Sequence, residues 1–132
     1  MRLPTPEIVF DEDTIIALHD ALVDKTGGSE GVRDMGLLSS AIYAPFQSFG
    51  GCEIYPTVYE KAARLGFGLA QNHAFIDGNK RIAAHVMLVY LKANGITLSY
   101  TQEELIDIFL GIASSEVTFD DLVSWLKTHK AV

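Results

Sequence analysis

The stretch from Lys80 to Ala93 carries Ile82, Ala83, Ala84, Val86, Met87, Leu88, Val89 and Leu91, so a helix through it has apolar side chains almost all round. A helix without a polar face cannot lie on the surface of a globular protein and has to be enclosed by other elements. Asn94-Gly95 supplies its stop. The chain is therefore expected to fold around a central buried helix, and the remaining segments have to cover it.

Those segments also read as helices. Asp11, Asp13 or Thr14 can cap a first one, whose Ile15, Leu18, His19 and Leu22 keep i, i+3, i+4, i+7 spacing until Gly27-Gly28 stops it. A second starts after Asp34, runs through Leu37, Leu38, Ala41 and Ile42, and ends at Pro45. Thr57 and Glu60 form a capping box for a third, which reaches about Asn72 and has small residues at Ala62, Ala63, Gly66 and Ala70, so that a neighbour can approach closely. Thr101 and Glu104 repeat the box ahead of Leu105, Ile108, Phe109 and Ile112, and Thr118 with Asp121 opens a last helix carrying Phe119, Leu122, Val123 and Leu126. Short extended pieces are expected only around Val9 and Ile96–Tyr100. The fold class that follows is all-α, a compact bundle of about six helices.

At 132 residues the chain fits one domain, 1–132, large enough to bury a core without staples. The only cysteine is Cys52, so no intrachain disulfide can form, which favours a reducing cytosol. Met1 to Phe10 lacks the apolar run of a signal peptide, and nothing offers the ~20 apolar residues of a membrane span. The expected location is cytoplasmic. Ten Lys plus Arg stand against 17 Asp plus Glu, a net charge of −7, which is the wrong sign for a protein that binds DNA or RNA by neutralising phosphates. A single nucleotide is different, because it feels the field within a Debye length of ~8 Å, and Lys80 with Arg81 is a local basic pair.

That pair ends the segment His73-Ala74-Phe75-Ile76-Asp77-Gly78-Asn79-Lys80-Arg81, which joins a base, a carboxylate, a glycine, an amide and two cations between two helices. Gly78 and Asn79 stand where a helix begins, and the first amides of a helix have no intrahelical partners and point at an incoming anion. Lys80 and Arg81 add full charges there, and Asp77 can offer an oxygen to the Mg²⁺ that accompanies nucleotide phosphates. His73 can take a proton from an attacking hydroxyl. Taken one at a time, these residues also have plainer roles, with Asp77 or Asn79 as the N-cap of the following helix and Phe75 as a core plug fixing the loop. His19 reads as a packed core histidine, His85 as structural or supporting, and His129 lies near the terminus. Gly27-Gly28-Ser29-Glu30-Gly31 lacks the Gly-Lys-Ser/Thr of a phosphate loop and reads as a helix stop. Between Pro45 and Pro56, Phe46, Phe49, Tyr55 and a Gly pair form either a surface loop that tucks Phe46 and Phe49 into the core or a flap that contacts substrate.

HAFIDGNKR resembles the Doc form of the Fic motif, His-x-Phe-x-Asp/Asn-Gly/Ala-Asn-Lys-Arg. GGSEGVRDMGLLSSAI and PFQSFGG are similar to the segments that precede it in Doc-like proteins, so the likeness runs from about Ile15 to Trp125. Adenylyl-transferring Fic proteins carry Gly-Asn-Gly-Arg and, after two intervening residues, a further Arg, where this chain has Lys80 and Ala84; both departures point towards Doc. Ala74 stands where the wider family often has Pro, which implies a less rigid loop. Ile82 replaces a small polar residue.

The resemblance implies the Fic/Doc fold and a kinase-like toxin of a toxin–antitoxin system. Its reaction moves the γ-phosphate of ATP to a hydroxyl of a protein target, elongation factor Tu, and arrests translation. His73 is then the general base, Asp77 holds Mg²⁺, and Gly78, Asn79, Lys80 and Arg81 bind and orient the phosphates. A flap around Gln47, Ser48, Phe49, Gly50 and Gly51 aligns the target by main-chain pairing. The implied partner is a cognate antitoxin whose disordered segment folds on binding; neither nucleic acid nor membrane is expected to bind directly. Adenylyl transfer and a catalytically silent peptide-binding module are the competing readings.

Overall fold

A computed structural model describes residues 10–132; Val9 and the residues before it lie outside the described part. Six α-helices follow in order: α1 (Glu12–Thr26), α2 (Met35–Tyr43), α3 (Val58–Asn72), α4 (Asn79–Ala93), α5 (Gln102–Ala113) and α6 (Phe119–Thr128). A 3₁₀ turn at Ala44–Phe46 and a two-stranded hairpin, β1 (Ser48–Phe49) with β2 (Cys52–Glu53), join α2 to α3. The fold is all-α, and among the described residues no helix is long and apolar enough to cross a membrane.

Local chemistry sets most boundaries. Asp11 caps α1 through the Thr14 amide and Asp34 caps α2 through the Leu37 amide. Full capping boxes open α5 (Thr101 with Glu104) and α6 (Thr118 with Asp121). The box expected at Thr57 is half formed. Its hydroxyl accepts from the Glu60 amide at 3.1 Å, but the Glu60 carboxylate takes the Thr57 hydroxyl proton at 2.8 Å instead of reaching the Thr57 amide.

The helix with the fullest enclosure is α3 rather than α4. Eight of its residues are buried, among them Ala62, Ala63, Leu65, Gly66, Gly68, Leu69 and Ala70, and it packs against α2, α4, α5 and α6. Small side chains permit this: a Cβ on Gly68 would sit 3.4 Å from that of Ala41, and one on Gly66 3.0 Å from Met87 Sδ. On α4, Ile82, Ala83, Val86, Met87, Tyr90 and Leu91 are buried, while Leu88 is half-buried and Val89 exposed. The apolar run told how much surface needed cover, not that one side of α4 borders a cavity.

Leu98 pairs with Lys130 in an antiparallel bridge, with the Ser99 amide on His129 O at 2.7 Å and the Ala131 amide on Thr97 O at 2.8 Å. The extended piece expected at Ile96–Tyr100 is thus present and tied to the chain end. Beside it, His129 donates to Glu104 Oε2 at 2.8 Å and stacks on Trp125 with ring centroids 4.1 Å apart. The hairpin, in contrast, was not expected. Gly50 and Gly51 have φ of 60° and 82°, the positive values that a tight two-residue hairpin turn demands. Phe46 packs inward, edge-on to Tyr90, whereas Phe49 is 83% exposed and not tucked into the core.

Two outcomes check this packing. Leu69→Ala, at a fully buried α3 position, should lower unfolding free energy in urea by ~2–5 kcal/mol; a loss below ~1 kcal/mol would show that α3 is not the enclosed helix. The Glu104 carboxylate raises the His129 imidazole above its ordinary value. Its contribution to stability is complete below about pH 6.5 and lost as pH rises through the raised value. Melting temperature should therefore fall less between about pH 6 and pH 8 in His129→Gln than in the unsubstituted protein.

Candidate functional site

The segment of interest begins where α3 ends. His73 is its C-cap in the left-handed region, φ 50° and ψ 47°, a conformation that costs a non-glycine residue ~1–2 kcal/mol. Arg33 holds it there, donating from Nε to His73 O at 2.7 Å and from Nη2 to Asn72 O at 3.3 Å. The same stretch continues along the loop: the Arg33 and Asp34 amides donate to Ala74 O at 2.7 and 3.1 Å, and the Ile76 amide donates to Gly31 O at 3.1 Å. The His73 imidazole itself is exposed.

Phe75 is 1% exposed, the plug expected of it, and stacks on His19 with centroids 3.8 Å apart and planes 9° from parallel. His19 Nε2 lies 2.6 Å from Asp77 O; facing a carbonyl, this nitrogen must carry the proton. The Asn79 side chain turns back on the loop. It accepts from the Phe75 amide and donates to the Phe75 carbonyl, both at 3.0 Å. The loop from Phe75 to Asn79 is thereby closed on itself and seated on α1.

This closure decides what stands at the start of α4. The N-cap is Gly78, φ 75°, which has no side chain to offer. A Cβ there would lie 3.1 Å from Val23 Cγ1 and 3.4 Å from His19 Nε2, so the position needs glycine both for its φ and for its space. Neither residue expected as a possible cap serves as one, since Asn79 grips Phe75 and Asp77 accepts from the Gly78 amide at 2.8 Å and the Ser29 amide at 3.3 Å. The other five helices each have a side-chain cap. The first turn of α4 is left with amides that have no side-chain partner.

The charges gather at the same place. The Gly78 amide, then that of Ser29, and further the Arg81 guanidinium hold the Asp77 carboxyl below the usual carboxylate range, outweighing slight burial. Arg81 Nη2 is 3.8 Å from Asp77 Oδ1, and Nη1 donates to Gly27 O at 2.7 Å and to the Thr26 hydroxyl. Lys80 is exposed beside them. Each Asp77 oxygen keeps a lone pair beyond the bonds described, and one or two carboxylates are what Mg²⁺ takes from a protein when phosphates and water complete its shell.

The Gly27–Gly31 segment stops α1, as expected, and also walls the site. A Cβ on Gly28, φ 126°, would fall 2.7 Å from Asp77 Oδ2 and 3.0 Å from Arg81 Nη2. A cavity of about 520 Å³ lies alongside, with Thr26, Lys80, Arg81, His85 and Gln102 as its polar border and mainly apolar walls that include Leu22, Leu88, Tyr100, Ile106 and Phe109. His73 and Asp77 do not line it. The hairpin at Gln47–Gly51 stands at the opposite end of α3, whose 15 residues rise ~22 Å, and its base is joined to that end by Glu53 and Lys61 at 3.0 Å. Sequence reasoning missed His19, Arg33 and Gly28. The one signal for them was a histidine on an apolar helix face followed by paired glycines.

Gly28→Ala should displace Asp77 and Arg81, which amide chemical shifts can follow. Resonances of Asp77 to Arg81 are expected to move while those of α5 and α6 stay in place. Unmoved Asp77 and Gly78 amides would mean that the segment does not press on the carboxylate.

Known proteins resemble this sequence over most of its length. A family model described as the Fic/DOC family matches residues 9–91. The chain is 35% identical over 102 residues to the protein named Toxin Doc of Mycolicibacterium smegmatis (strain ATCC 700084 / mc(2)155), covering 76% of this chain and 78% of that one. It is 31% identical over 115 residues to the protein named Protein kinase doc of Escherichia phage P1, covering 87% and 90%. With the motif at a loop held as described and the match running through most of its length, the chain belongs to the Fic/Doc family.

Proposed function

We propose that this protein is the toxin of a toxin–antitoxin system, a single cytoplasmic domain that transfers the γ-phosphate of ATP to a Ser or Thr hydroxyl of a protein target, elongation factor Tu. The observation that carries this reading is the first turn of α4, open at Gly78 and flanked by Asp77 and Lys80. Phosphoryl transfer asks a protein chiefly for positioning and for charge opposite the phosphates. The amides after Gly78 and the Lys80 ammonium supply the charge. Asp77 would hold Mg²⁺, which neutralises phosphate charge when bound.

In the proposed reaction His73 takes the proton of the target hydroxyl, whose oxygen forms a bond to the γ-phosphorus as the bridge to the β-phosphate breaks and ADP leaves. His73 is exposed in its left-handed conformation at the end of α3, which supports its access to a protein hydroxyl. Asn79 and Arg81 serve this chemistry through the loop: one grips Phe75, the other ties Gly27 to the Asp77 side. Lys80 in place of the glycine of adenylyl-transferring relatives favours transfer of the γ-phosphate over transfer of AMP. The names Toxin Doc and Protein kinase doc carried by the two relatives support the toxin and kinase parts of the reading.

An antitoxin segment that folds on binding would need an apolar surface, and the cavity between α1, α4 and α5, with Ile106 and Leu110 half exposed at its rim, is suited to an amphipathic helix.

Incubation with Mg²⁺, elongation factor Tu and ATP labelled at either the γ or the α position separates the readings. Label from the γ position is expected; label from the α position means adenylyl transfer. His73→Ala should lower turnover by ~10²–10⁴ with the melting temperature unchanged. If that variant still arrests growth while substitutions in the apolar cavity abolish arrest, the protein acts by binding.

A further inference from the structure

Two polar side chains are buried among the described residues, His19 and Lys61. His19, on α1, supports the loop at the C-terminal end of α3. Lys61 stands in the first turn of the same helix, at the other end. Its side chain is 6% exposed, and its ammonium donates to Tyr55 O at 2.5 Å and pairs with Glu53 Oε1 at 3.0 Å. A buried ammonium is costly unless its protons are satisfied, and a methionine would fill the space without that cost. Both partners belong to the limb that leads from the hairpin into α3. One turn further, the Arg64 guanidinium lies over the Tyr55 ring, 5.9 Å from its centroid, and that ring meets Phe119 of α6 edge-on at 5.4 Å.

This fastening fixes more than a loop. Ser48 pairs with Glu53, and Phe49 with Cys52, so a fixed Glu53 sets the roll of a two-stranded ribbon too short to hold its own orientation. At its tip Phe49 is 83% exposed, an aromatic ring presented to water beside a strand edge. We propose that Lys61 is a positioning residue for the protein target: by tying Glu53 and Tyr55 to the first turn of α3, it holds the hairpin Ser48–Glu53 in the orientation that meets the target. This rests on the reading that the substrate is a protein hydroxyl.

The test uses the full chain with γ-labelled ATP, Mg²⁺ and a titration of elongation factor Tu. Lys61→Met should raise KM for the target about tenfold, leaving kcat and the KM for ATP within about twofold. Glu53→Gln, at a half-exposed side chain that cannot disturb the core, should move KM the same way by less, and it decides the matter if Lys61→Met does not fold. Chymotrypsin should cut after Phe49 several-fold faster in both variants. A variant with a lowered melting temperature but unchanged KM for the target and unchanged cleavage overturns the proposal, because Lys61 is then only a packing element. An unsubstituted protein that leaves elongation factor Tu unlabelled defeats the functional reading instead. The cleavage rates then decide the clamp, and equal rates overturn it.

Discussion

The amides at the start of α4 stay open because the side chains that could close them are engaged elsewhere. Asn79 is turned back onto the Phe75 main chain, Asp77 is bound to the Gly78 and Ser29 amides, and Gly78 has nothing to offer. An unsatisfied helix N-terminus gathers anions through its dipole and its free donors. The rest of the arrangement follows from keeping it open. A side-chain cap in the ordinary place would be worth ~1 kcal/mol, and this helix goes without one while the other five have theirs.

Holding the loop in that shape takes contacts from far along the chain. His19 reaches Asp77 across 58 residues and Arg33 reaches His73 across 40. The first holds the loop from beneath through the Phe75 ring and the Asp77 carbonyl; the second fixes the left-handed residue from which the imidazole projects. The Gly27–Gly31 segment closes the third side, so close to Asp77 and Arg81 that Gly28 has no room for a side chain. His19, the Gly27–Gly31 segment and Arg33 therefore shape this loop and are not only cover for the core. Both ends of α3 use a buried polar residue for fastening: the His73 loop is seated on His19 and the hairpin on Lys61.

What could be read from the sequence was what depends on neighbours in sequence. The boxes at Thr101 and Thr118 and the stop at Gly27 rest on contacts within four residues, and they appear where periodicity and capping chemistry put them. At Thr57 the right residues were present, yet the Glu60 carboxylate accepts from the hydroxyl and not from the amide, a choice between two local donors that composition does not make. The hairpin had a legible signal in Gly50-Gly51, but its strands are two residues each, too short for any alternation to show. Phe46 and Phe49 looked equivalent, and only the ribbon's direction separates the one that packs from the one that faces water. In the same way Asn79 looked like a cap, and its partnership with Phe75 is a property of the folded loop. His19 on an apolar face gave no hint of the carbonyl it would meet.

The most direct measurement is a crystal structure with Mg²⁺ and a non-hydrolysable ATP analogue. Phosphate oxygens are expected within hydrogen-bond distance of the amides following Gly78, with the Lys80 ammonium beside them and the metal on an Asp77 oxygen. A triphosphate bound away from the start of α4, with those amides still facing water, would contradict this placement.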